Sequence, residues 1–429
     1  MTDMLGNRRI NLCSAERQVP SKHRVFLWIA LAVMVSTRLA LILLIDVQPT
    51  SDMGWYYGRA IDLLETGRYA ENGISTAYWP VGYAAFLAGV MALAGSSVLV
   101  GQLANLVLSI ACMLLLYRLC IRHFGDYRVA AIAACLFAVY PNHMGYSLGL
   151  YTEPLFTTLM LLMWLQIKPS TPKWRLIFAG IFAGLATLVK TQMLLLAPLL
   201  SFVLSLRNWN QQSGMLALRQ SLLVTFFMVM TISPWTVRNY IELGAFIPVS
   251  TNGGMSLLAG NNPSMTFDLR TDYNDSDEMI HQVKFSVADQ VAADQRARTA
   301  AWRWIRDNPV TFISLMPKKF IRFWLPDGES EWNIQRGFAA YEKWKFEFRS
   351  VRVVNQIYYF GLLACFVFSL YYCVRLNDPQ TLAPPLTILF FTILSLVFSG
   401  QSRYHAPLMP LIIGYAAWAL ARFRFVRQL

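Results

Sequence analysis

The sequence predicts an all-α polytopic membrane protein of about ten transmembrane helices, with a long first external loop and an external mixed soluble domain. Three observations predict it. The chain is 56% hydrophobic and only 14% charged, with a mean hydropathy of +0.42, whereas soluble domains carry about 25% charged residues. Its apolar residues fall in runs of roughly bilayer length. Lys and Arg gather in short blocks between those runs, the pattern that sets membrane orientation. The formal charge of +13 therefore marks topology, and no nucleic-acid partner is expected.

In order, residues 1–24 are polar and basic and form an expected cytoplasmic tail. The run 25–45 exceeds a signal-peptide core and lacks a small-residue cleavage site, so it is expected to stay as the first span. Residues 46–97 make the first external loop. Spans at 98–119, 129–144 and 154–167 follow, the last two joined by a second external loop holding Glu153. At about 1.5 Å per residue, 174–206 is too long for one crossing, so a hairpin with its outer tip at Lys190, Thr191 and Gln192 is expected. A span at 222–235 ends the N-terminal transmembrane module, 25–236.

Residues 237–352 are polar where the rest is apolar and form the expected external domain. Asn252, Gly253 and Gly254, and then Gly260 to Pro263, are turn chemistry. A helix is expected over 277–306, stopped by Asn308-Pro309. The run 310–325 carries Pro317, Lys318, Lys319 and Arg322 and is expected to lie in the interface. Spans at 353–374, 382–398 and 406–421 make the C-terminal part, 353–429, and Arg422, Arg424 and Arg427 put both termini inside. Of six cysteines, Cys13 lies in the tail, and Cys112, Cys120, Cys135, Cys365 and Cys373 lie in or beside apolar runs. None has disulfide or zinc-ligand spacing.

The first external loop carries the chemistry. Asp52 follows Pro49-Thr50-Ser51, then come Trp55-Tyr56-Tyr57, Gly67-Arg68-Tyr69 and Pro80-Val81-Gly82-Tyr83. This pattern resembles the first external loop of the GT-C glycosyltransferases, in the branch holding the protein mannosyltransferases and the lipid A aminoarabinose transferases. The likeness continues at Thr152-Glu153, Pro234 to Tyr240, Gly260-Asn261-Asn262-Pro263 and Arg403-Tyr404-His405. The resemblance implies a GT-C-like bundle, a polyprenyl-phosphate sugar as donor, inversion at the sugar, and catalysis by an Asp of the first loop. It also implies an active site on the periplasmic or external face of a bacterial inner (plasma) membrane. Asp52-Met53 stands where the protein mannosyltransferases carry an Asp-Glu pair. The acceptor is left open among glycan, lipid and protein.

Each residue has a plain reading beside the functional one. At Asp52, an ionised carboxylate takes the proton of an acceptor hydroxyl as that oxygen attacks the anomeric carbon, so positioning matters more than basicity. The plain alternative is a helix N-cap before Trp55. Glu153, near Tyr151 and Pro154 at a membrane boundary, is costly unless paired. It orients the acceptor, pairs with an arginine or ligates a divalent ion, or else faces a helix dipole in a first turn. A lipid phosphate needs cations at headgroup depth, where charge-assisted hydrogen bonds are strong. Arg403 is the first candidate, then Lys190, with Arg238 and Arg59 in reserve, against snorkelling to headgroups for each. Tyr56, Tyr57, Tyr83, Tyr404, His405, Asn261 and Asn262 are expected to line the substrate. No cofactor is expected, a divalent metal staying open only at Glu153. Asp327, Glu329 and Glu331, in Pro-Asp-Gly-Glu-Ser-Glu, are expected to be a solvated loop.

Asp52, Glu153, Lys190, Arg238 and Arg403 come from five separate places, yet the charge rule puts all of them at external span ends. Nucleotide sugars are cytoplasmic, so an external enzyme needs a sugar carried across on a lipid. The expected function is therefore sugar transfer from a polyprenyl phosphate to a hydroxyl or amine, with Asp52 as general base. Two rivals remain. One is a transporter or flippase of a lipid-linked sugar, which would show internal repeats and mid-bilayer polar residues. The other is an O-antigen ligase or polymerase using diphosphate-linked glycans. Arg38, inside the first span, has no role in this scheme.

Overall fold

The computed structural model describes residues 21–263, 265, 283, 286–373 and 378–422. The basic tail to residue 20, the expected helix start at 277–282, and Arg375, Arg424 and Arg427 lie outside the described residues. The chain is helical almost throughout. After α1 (Ser21–Leu44), the first loop holds α2 (Ser51–Thr66), a hairpin of β1 (Ala70–Glu71) and β2 (Ile74–Ser75), and α3 (Gly82–Ala94). Then come α4 (Val98–Phe124), α5 (Tyr127–Ala138), α6 (Pro141–Gly145), α7 (Thr152–Gln166), α8 (Lys173–Val189), α9 (Met193–Ser205) and α10 (Gln211–Leu243). The next segment holds α11 (Gly253–Gly260), α12 (Gln290–Asp307), α13 (Pro309–Trp324) and α14 (Glu329–Gly337), before α15 (Lys345–Cys373), α16 (Ala383–Val397) and α17 (Met409–Leu420).

Among the described residues, five helical segments are long and apolar enough to cross a bilayer: His23–Leu44, Val98–Phe124, Gln211–Leu243, Tyr341–Tyr371 and Pro379–Val397. The protein is an integral membrane protein. Large apolar side chains such as Trp28, Leu43, Phe226 and Ile357 stay uncovered on these helices, as lipid-facing residues do. α4 has half of its apolar window buried, against 22% for the α1 segment, so α4 is interior and α1 peripheral. The run 174–206 is a helical hairpin, its tip at Lys190–Gln192 between α8 and α9. α8 packs along α10 through Gly180 and Gly184, one turn apart, where a Cβ would run into Phe227 and Thr231.

Three features differ from the sequence expectation. The run 129–144 is broken at Val139-Tyr140, because Pro141 lacks the N–H to continue α5 and starts α6 instead. α10 passes through the expected boundary at 236/237 and stops at Leu243, where Gly244 adopts a left-handed φ of 66°. The described part of 237–352 is helical, and the only strands among the described residues are in the first loop. Asn72 and Gly73, with φ of 51° and 78°, make that hairpin turn.

The first loop and helices of the segment 237–352 form one cap over one end of the bundle. Gln290 Oε1 accepts from Ala77 N at 2.9 Å and Thr76 Oγ1 at 3.1 Å, while its Nε2 donates to Ser75 O at 3.0 Å. Arg238 on α10 donates to Thr76 O and Tyr69 O, both at 2.7 Å. α13 is amphipathic, carries Pro317 inside, and is not among the helices long and apolar enough to cross.

Candidate active site

α2 begins with Ser51 at a φ of 51° and has Thr50 as its cap residue. Asp52 therefore does not cap its helix. It sits in the first turn and accepts from Arg403 Nη1 at 2.7 Å on Oδ2. Arg403 belongs to the 3-10 turn Ser402–Leu408, which follows α16 through Gly400. Gly400 takes a φ of 64° and lies against the Lys319 backbone. A side chain there would be strained and would also collide with α13.

A second ion pair lies beside the first. Glu153, in the first turn of α7, accepts from Lys190 Nζ at 2.9 Å on Oε1 and from Thr152 Oγ1 at 3.1 Å on Oε2. Both partners are buried, Glu153 4% and Lys190 8% exposed. Tyr404 joins the pairs: Lys190 Nζ is 5.7 Å and the Arg403 guanidinium 5.6 Å from its ring centroid. Four residues from the ends of four elements thus meet at one end of the bundle.

The two cations line a cavity of about 280 Å³, walled by Lys190, Arg403, Tyr404, Tyr56, Trp79 and Gln192, with Asn252 and Ser399 at its edge, while their carboxylate partners Asp52 and Glu153 are not among its lining residues. A larger groove of about 490 Å³ lies between the C-terminal end of α1, α6, α14 and α15. It is almost wholly apolar and holds neither ion pair, so size alone does not mark the site. Tyr56 makes edge contacts with Trp55, Trp79 and Tyr83. Burial first, then the neighbouring Tyr69 and Asp52, push its phenol well above the ordinary range, so it stays an O–H donor. Arg403 Nε has no hydrogen-bond partner, leaving a donor beside the Asp52 contact.

Other expected residues lie elsewhere. Arg59 pairs with Asp62 at 2.7 Å, and Arg238 is used by the loop carbonyls. Tyr57 reaches Ser96 O at 3.3 Å, and buried Tyr83 meets Asn105. Asn261 Oδ1 accepts from Lys319 Nζ at 2.8 Å while its Nδ2 donates to Leu257 O and Val397 O. Asn262 Nδ2 donates to Leu258 O in α11. His405 is 1% exposed and bonded inside the protein. None of these seven lines the cavity.

The expected solvated loop is the clearest correction. Asp327 is 4% exposed and accepts from His405, Tyr140, Asn142 and Asn355. Glu329 accepts from Ser402 Oγ at 2.8 Å and Glu331 from Arg352 at 2.6 Å. Nothing in Pro-Asp-Gly-Glu signals this, since its partners come from distant elements. Among the described residues, no three or more His, Cys, Asp or Glu side chains form a group able to hold a metal ion.

The family described as dolichyl-phosphate-mannose-protein mannosyltransferase matches residues 79–235. Among curated proteins none matches. Two crystal structures of the Archaeoglobus fulgidus oligosaccharyltransferase, one tethered to an acceptor peptide and one with Zn and sulfate, superpose with a TM-score of 0.53 at 16% identity. They cover 93% and 92% of this chain. The chain spans about half the length of those structures, 49% and 48%. ArnT from Cupriavidus metallidurans bound to undecaprenyl phosphate superposes with a TM-score of 0.44 at 13% identity, over 92% of this chain and 77% of that one. The two ion pairs therefore sit at one end of a helical bundle that shares its fold with the Archaeoglobus fulgidus oligosaccharyltransferase.

Proposed function

We propose that the protein is a glycosyltransferase that moves a sugar from a polyprenyl-phosphate donor to a hydroxyl or amine of a glycan, lipid or protein acceptor. The site faces the external, periplasmic side of a bacterial inner (plasma) membrane. One observation carries this reading: the cations of two carboxylate–cation pairs, Asp52–Arg403 and Glu153–Lys190, line a single cavity edged by aromatic rings and amides. That is the equipment a phosphosugar needs, with cations for the phosphate, rings and polar groups for the sugar, and a carboxylate to accept a proton.

In the proposed reaction, Asp52 accepts the proton of the acceptor hydroxyl while that oxygen attacks the anomeric carbon. The bond from that carbon to the phosphate oxygen breaks on the opposite side, and the configuration inverts. The electron pair leaves with the lipid phosphate, whose charge is held by Arg403 and Lys190. A guanidinium has five N–H donors in a rigid fork, so Arg403 can hold phosphate with one edge and Asp52 with another. Phosphate is already a good leaving group, so no general acid is needed. Glu153 keeps Lys190 charged in a buried place and neutralises it before the donor arrives.

Purified protein in detergent, offered a panel of polyprenyl-monophosphate and polyprenyl-diphosphate sugars, tests the reading. Transfer from a monophosphate donor supports it. Transfer only from diphosphates points to a ligase, and binding without transfer points to a carrier.

A further inference from the structure

We propose that Asp327 and His405 are positioning residues that hold Arg403 in place at Asp52, with Glu329 as a second tether. The proposal rests on the phosphate-binding role given to Arg403 above. The turn Ser402–Leu408 is gripped on both sides of Arg403. On one side, Ser402 Oγ donates to Glu329 Oε2 at 2.8 Å. On the other, His405 Nδ1 lies 2.6 Å from Phe323 O and Nε2 lies 3.1 Å from Asp327 Oδ1. Glu329 and Asp327 are two residues apart on the loop that opens α14, so one short stretch of chain holds both flanks.

The chemistry of the grip follows from donor and acceptor types. A backbone carbonyl only accepts, so Nδ1 carries a hydrogen, and Nε2 then faces the Asp327 carboxyl with one proton shared between them. Asp327 also accepts from Tyr140 Oη at 2.6 Å, Asn142 Nδ2, and Asn355 Nδ2 at 2.9 Å, using both oxygens. Donors converge on both of its oxygens, so several bonds fix its orientation at once. The His405 ring lies nearly parallel to Tyr359 at 14° and 5.1 Å and to Trp324 at 2° and 6.1 Å, contacts that hold its plane. Packed apolar residues would stabilise such a contact as well as a buried polar pair does, or better. What the pair adds is direction, because each bond has a required angle and together they admit one placement of the turn.

The test is binding of undecaprenyl phosphate to the full-length protein in detergent. Asp327→Asn offers a single acceptor oxygen where several donors converge. It is expected to weaken binding about 10- to 100-fold, the loss of one charge-assisted hydrogen bond, and to add nothing in an Arg403→Ala background, because the group it positions is already gone. Unchanged binding in Asp327→Asn, or losses that multiply in the double variant, overturns the proposal. If Asp327→Asn does not fold, the Glu329 variants decide. Glu329→Gln keeps an acceptor for Ser402 and should bind like wild type, Glu329→Ala should bind several-fold more weakly, and equal behaviour of the two overturns the proposal. If wild type itself does not bind undecaprenyl phosphate, the donor reading fails and takes this proposal with it, an outcome recognisable before any variant is made.

Discussion

Asp52 and Arg403 lie 351 positions apart and share a hydrogen bond of 2.7 Å between Oδ2 and Nη1. The candidate base and the candidate phosphate cation are therefore one bonded unit. A substitution at either is felt by the other, and the two roles separate only in assays that read binding and transfer independently.

Asp52→Asn keeps the shape and one acceptor oxygen for Arg403, but removes the proton acceptor. Sugar transfer is expected to fall about 10²- to 10⁴-fold, the usual worth of a positioned base, while undecaprenyl phosphate still binds. Asp52→Glu is not expected to restore it, because an extra methylene moves the carboxylate by about an ångström. Transfer by Asp52→Asn at close to the wild-type rate would move the base to Glu153.

Arg403→Ala is expected to weaken donor binding by about 1.5–3 kcal/mol. Arg403→Lys should recover only part, because a fork becomes a point charge. A titration with undecaprenyl phosphate measures both, and an unchanged affinity in Arg403→Ala would pass the role to Lys190.

The Glu153–Lys190 pair is buried, so removing one partner strands a charge. Glu153→Gln alone is expected to lower stability by about 3–5 kcal/mol, more than Asp52→Asn, whose partner is partly exposed. Adding Lys190→Met should return most of that stability without returning transfer. Thermal unfolding in detergent beside a transfer assay measures the two effects. A Glu153→Gln variant as stable as wild type would mean that the pair is not closed in solution.

Sidedness is open to direct labelling. Single cysteines at Asn72 and Glu342, in a background without the native cysteines, are expected to react with an impermeant thiol reagent added outside. A cysteine at Ser170 should not. Labelling at 72 but not at 342 would mean that α13 crosses the bilayer.

The sequence carries the spans because apolar runs and charged blocks are local signals. Run length alone marks the α8–α9 hairpin and puts its tip at Lys190–Gln192. The break at Pro141 was equally local, but it was hidden by an apolar run that continues across it. Site residues were legible where a charge has no business at a span end, as with Asp52, Glu153, Lys190 and Arg403. Which carboxylate meets which cation was not, because pairing across hundreds of residues is a property of packing. The same limit explains Asn261, Asn262 and His405, polar residues whose hydrogen-bonding atoms the protein itself largely occupies. It explains Asp327 most fully, since a turn-forming tripeptide says nothing about Tyr140, Asn142, Asn355 and His405 closing around it.

Arg38 is fully buried in α1 and donates to Ala138 O at 2.8 Å, at the C-terminal end of α5, 100 residues further along the chain. During synthesis α1 leaves the ribosome long before that carbonyl exists. An arginine within a span costs about 2.5–3.5 kcal/mol to insert, so α1 enters the bilayer carrying a debt that only α5 cancels. α1 thus settles only after α5 has joined it. Its secure place in the membrane reports that α5 has been inserted beside it.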